Sequence, residues 1–145
     1  MIARNQVFWP VLVQMLVTMG VFVRLIKVKI RALKEGKVDR ERRGLHEDAW
    51  PDSVLQVNNN IRNQFELPVL FYAACFILWA LEGVGVVALV LAWLFVASRI
   101  VHTWIHLTSN YIPNRRRVYT AGWWILLALI LLAAWQLAGR ALTAT

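Results

Sequence analysis

Asn59, Arg62, Asn63 and Glu66 form one group of polar residues, and Arg99, His102 and His106 form a second. Within each group the spacings are those of helix neighbours three and four residues apart, so each makes a single stripe on a helix. An arginine and a glutamate on facing stripes can pair, and asparagines can hydrogen-bond to histidines. A buried pair of this kind can serve chemistry, or it can simply fix the register of two helices. His102 and His106 with Glu66 would also supply three metal ligands. Membrane metal sites of that sort draw on many histidines, and this chain has three, one of which (His46) lies in a basic, solvated stretch. No metal is expected. Cys75 stands alone in an apolar run with no charge nearby in sequence, so it reads as inert filler.

These stripes lie on segments that are otherwise apolar. The chain is 59% hydrophobic, and the apolar residues gather into runs near the length of about 20 that a bilayer core requires. The runs cover residues 8–26, 65–81, 84–107 and 118–137. The first lacks a small-x-small cleavage site before Arg24, so it is expected to be a retained helix and not a signal peptide. The second helix should begin earlier, near Val54, with Asp52 or Ser53 as a cap after Pro51. Glu82-Gly83-Val84-Gly85 should turn the chain, and Pro113-Asn114 should break it before the fourth run. The expected fold is all-α: an integral membrane four-helix bundle, one domain over residues 1–145.

The turn sets depth. Counted outward from Glu82 and Gly83 at about 1.5 Å per residue, Glu66 is level with Arg99, Asn63 with His102 and Asn59 with His106. A buried Glu66–Arg99 ion pair flanked by two Asn–His contacts is therefore expected, near one face of the membrane.

The net charge of +8 would suggest a nucleic-acid partner in a soluble protein. Here the charge adjoins the spans. Residues 27–43 carry eight Lys and Arg, and Arg115, Arg116 and Arg117 lie between the third and fourth runs. Membrane topology and anionic lipid explain it, and no nucleic acid is expected. The positive-inside rule makes that side cytoplasmic and places both termini outside. Trp9, Trp79 and Trp135 then fall together at the outer interface.

At Arg62-Asn63-Gln64-Phe65-Glu66, Arg99-Ile-Val-His102, Arg115 and Tyr119 the sequence resembles the MAPEG family, the membrane-associated proteins in eicosanoid and glutathione metabolism. The resemblance covers nearly the whole chain. The stretch from Asn63 to Tyr72 is most similar to bacterial members, which implies a bacterial inner membrane. The resemblance implies a homotrimer of four-helix subunits with glutathione, as co-substrate, bound between neighbours near the cytoplasmic face. Arg31, Arg62, Asn63, Glu66 and Tyr119 would form the glutathione site, and Arg115 would be the catalytic residue, with Arg116 and Arg117 as its neighbours. Asn59, Arg99, His102 and His106 would be a structural polar cluster. The chemistry is consistent: an adjacent guanidinium turns a thiol into the nucleophilic thiolate, and arginine grips carboxylates.

The activity this implies is a glutathione-dependent transferase or peroxidase acting on lipophilic electrophiles dissolved in the bilayer. A non-catalytic membrane protein that binds lipid or a protein partner through the same cleft is the alternative. A small multidrug exporter is a poor match, because the first run carries no Asp or Glu.

Overall fold

The computed structural model describes residues 3–143. After a 3-10 turn over Arg4–Val7, five α-helices follow: α1 Phe8–Lys34, α2 Asp52–Gln64, α3 Leu67–Ala80, α4 Val86–Leu107 and α5 Ile112–Thr143. Together they make four stretches long and apolar enough to cross a membrane, with α2 and α3 forming the second.

Local chemistry accounts for most boundaries. Pro10 falls in the first turn of α1, where the missing N–H costs nothing. Asp52 opens α2 after Pro51 as expected, but no side chain caps it. The helix then stops at Gln64, leaving Phe65 and Glu66 outside regular helix. Pro68 explains the break: it has no N–H to continue the ladder and it constrains the residue before it. The expectation at Pro113-Asn114 was opposite in effect. These residues start α5 at Ile112, because proline is as well suited to a first turn as it is hostile to an interior. Asn110 makes the preceding turn at φ 50°, a left-handed conformation that asparagine tolerates.

The main core lies between α3, α4 and α5. Phe71 stacks on Phe95 with ring centroids 4.5 Å apart, and Leu78, Ala88, Ala92, Leu126 and Leu129 surround them. Cys75 is fully buried in this core. A second cluster, Val21, Val28, Ala32, Val54 and Val57, joins α1 to α2. The outer faces remain apolar, with Leu16, Met19, Ile26, Trp93, Leu131 and Trp135 exposed, which suits contact with lipid.

At one end of the bundle, Arg4 pairs with Glu82 at 2.8 Å and Trp79 donates to Asn5 Oδ1 at 2.8 Å. Arg140 reaches the same glutamate at 3.6 Å. The basic segments lie at the other end, with the polar stripes.

The close fit of α4 and α5 depends on Gly122. A Cβ there would meet Ser98 Oγ at 2.7 Å, and that hydroxyl is itself tied to Phe95 O at 2.6 Å. Gly122→Leu should force the helices apart and cost about 1–3 kcal/mol. Thermal unfolding in detergent checks this; an unchanged melting temperature would contradict the packing described.

Candidate functional site

The polar residues of α2 divide between two faces. Asn60 and Gln64 point inward and are fully buried, while Asn59 and Arg62 stay exposed and Asn63 is half-buried. The inward pair anchors a network that sequence reasoning missed. Gln64 Nε2 donates to Asn60 Oδ1 at 3.0 Å and to Thr103 Oγ1 of α4 at 2.9 Å. Its Oε1 accepts from Gln14 Nε2 of α1 at 2.9 Å and from Thr18 at 3.4 Å. Three spans are thus joined by uncharged side chains. The available signal was the recurrence of amides and hydroxyls four apart, at 14 and 18 and at 60 and 64.

The outward stripe lines a cleft. Gln56, Asn59, Arg62, Asn63 and Glu66 form one wall, His106, Asn110 and Arg115 the other, around a volume of about 420 Å³. An adjoining cleft of about 320 Å³ shares Asn63, Glu66 and Arg115 and adds His102, Ile112, Arg116 and Tyr119. Of the arginine triplet, Arg115 lines both clefts and Arg116 one. Arg115 Nη1 donates to Asn110 Oδ1 at 2.6 Å, so the α4–α5 turn holds its guanidinium in place. Arg31 lies elsewhere, in a cleft between α1 and α2 with Arg24, Glu35 and Gln56.

The expected Glu66–Arg99 ion pair does not form. Glu66 is exposed, and its Oε2 accepts from Tyr119 OH at 3.2 Å. Arg99 is completely buried; its Nη2 donates to the carbonyl of Asn63 at 3.1 Å and its guanidinium lies 5.5 Å from the centre of the Tyr119 ring. The flanking contacts shift as well. Asn63 Nδ2 lies 3.4 Å from His106 Nδ1, one turn beyond the expected His102. The physical reason is the break at Phe65 and Glu66. Matching by depth assumes an even rise along both helices, and non-helical residues carry the chain further per residue. Everything before the break is therefore displaced away from the turn. The break also gives Arg99 its acceptor, since the last carbonyls of a helix lack partners within it. Arg99 Nε and Nη1, and Nδ1 of buried His102, have no hydrogen-bond partner among the described residues.

Arg62 is engaged from outside the cleft. Its guanidinium forms a salt bridge with Glu47 and contacts Asn59 Oδ1 at 3.4 Å. Glu47 belongs to a 3-10 turn, Glu47–Ala49, in the loop between α1 and α2. Nothing in the sequence pattern singled it out, because the contact crosses from irregular backbone to a helix. Nearby, Arg42 hydrogen-bonds to Asp48 at 2.8 Å and holds that carboxyl below the usual carboxylate range.

A bundle of four stretches able to span a membrane, with an amide-rich cleft lined by Arg62 and Arg115 at its basic end, defines an integral membrane protein with a polar cleft at one end. The chain belongs to the MAPEG family, whose model matches residues 7–135, a membrane family of eicosanoid and glutathione metabolism. No curated protein and no solved structure matches it.

Proposed function

We propose that this protein is a glutathione-dependent transferase or peroxidase that acts on lipophilic electrophiles drawn from the membrane. The observation that carries the reading is the convergence of Arg62, Asn63, Glu66 and Arg115 on one cleft, from two different spans. Arg62 would hold a glutathione carboxylate, Asn63 a peptide group and Glu66 the ammonium. Arg115 would stand against the sulfur and favour its thiolate. The thiol loses its proton to solvent; the thiolate pair forms the new S–C bond as the leaving group departs with its own pair. Tyr119 would flank the sulfur from the adjoining cleft. Asn59, Arg99, His102 and His106 would support the site from behind and beside it.

The same reading makes the protein a homotrimer. The cleft is open, and Arg31 lies outside it within one chain, so Arg31 of the partner subunit would complete the carboxylate contacts. The basic loops would lie on the cytoplasmic side of a bacterial inner membrane with both termini outside. That side is where soluble glutathione would enter while the electrophile arrives through lipid. Mass measurement in mild detergent should give three copies, and proteoliposomes should conjugate glutathione to an apolar electrophile. Only monomer at every concentration, with no conjugation, would overturn the reading. The engagement of Arg62 by Glu47 favours the second reading, a non-catalytic protein of this fold, if that contact is permanent.

A further inference from the structure

The contact between Glu47 and Arg62 is built by a closed loop. Asp39 Oδ1 accepts from the backbone of Glu41 at 3.1 Å and Arg42 at 3.2 Å, and Asp39 N donates to Ala49 O at 3.1 Å, tying the two ends together. Trp50 Nε1 donates to Arg43 O at 3.2 Å, and Lys29 of α1 lies 4.8 Å from the centre of the Trp50 ring. The loop so braced presents Glu47 to Arg62 and, at 3.4 Å, to Asn58 one turn earlier on α2. Arg62 is also a wall of the polar cleft.

A carboxylate therefore already occupies the guanidinium that faces the cleft. From this we infer that Glu47 is an internal competitor, a latch that an incoming anionic ligand must displace from Arg62. The inference rests on the glutathione reading and adds a control to it. The exchange is one carboxylate for another, so little is lost at the arginine. Both partners of the latch are more than half exposed, 58% and 54%, and exposed ion pairs are weak enough for a ligand to replace. Release of Glu47 would undo the ion pair that ties this loop to α2, so occupancy of the site would be felt in the loop between α1 and α2.

The test is glutathione titration of the purified full chain against Glu47→Gln, with Glu41→Gln as a control that removes the same charge from the same loop. Glu47→Gln should bind about two- to fivefold more tightly at low salt, the scale on which an exposed ion pair acts, and the gain should fade as salt rises. Glu41→Gln should match wild type. Equal tightening by both variants would mean bulk charge and overturn the latch, as would binding by Glu47→Gln that is unchanged or weaker. No binding by wild type or either variant would overturn the glutathione reading and the latch with it.

Discussion

Replacing Arg115 by alanine is expected to abolish the thiolate absorbance of bound glutathione at neutral pH and to slow conjugation by about a hundredfold or more. Losing a preorganised group that stabilises reacting charge has effects of about 10²–10³ in rate. A free thiol of this kind titrates near about 8.5, so it is mostly protonated at pH 7. A guanidinium at the sulfur favours the charged form and moves that value down, which raises the thiolate fraction at neutral pH. Arg115 suits the role because it lines both clefts and Asn110 fixes its orientation at 2.6 Å. Binding should survive in large part, since Arg62 and, in the proposed trimer, Arg31 of a neighbouring copy would still hold the carboxylates. If Arg115 only anchors its turn to lipid headgroups, the variant will lower yield and leave the thiolate signal intact. If Arg116→Ala removes the signal and Arg115→Ala does not, the thiolate partner is the next residue along.

Gln64→Leu is expected to produce the largest loss of stability among the polar variants, about 2 kcal/mol. Leucine nearly conserves volume, so the loss isolates the hydrogen bonds. Gln64 joins Gln14, Thr18, Asn60 and Thr103, and interhelical hydrogen bonds in membranes average about 0.6 kcal/mol each. Removing the amide also leaves buried groups on three spans without partners, which adds to the cost. Glu66→Gln should cost less than about 1 kcal/mol, because Glu66 is exposed and the hydrogen bond its carboxylate accepts from Tyr119 can be kept by an amide oxygen. Unfolding in detergent with added denaturant separates the two. Comparable losses from both would show that Glu66 holds the bundle as firmly as the Gln64 network does and would contradict this ranking.

That contrast marks where the sequence was readable. The spans were plain from hydropathy, because lipid demands long apolar runs. The cleft wall Asn59, Arg62, Asn63 and Glu66 was plain from its spacing, and it does line one face of α2 and the break after it. The partners across the cleft were not, because one proline at position 68 interrupts the helix and displaces Asn63 by a turn, to His106. Arg99 was paired with the nearest acid by depth, whereas the break offered it a backbone carbonyl instead. Gln14 and Thr103 are single polar residues within apolar runs, and only their meeting through Gln64 in space gives them weight. Glu47 was beyond reach, since no periodicity relates a loop turn to a helix fifteen positions on.

On the proposed function, the cleft between α2, α4 and α5 binds glutathione as its thiolate. Isothermal calorimetry on the detergent-purified protein, with ultraviolet absorbance read on the same titration at neutral pH, tests it most directly. Saturable heat is expected, accompanied by thiolate absorbance that rises with the same midpoint and is absent when S-methylglutathione is used. The absence of both heat and absorbance at millimolar glutathione would contradict it.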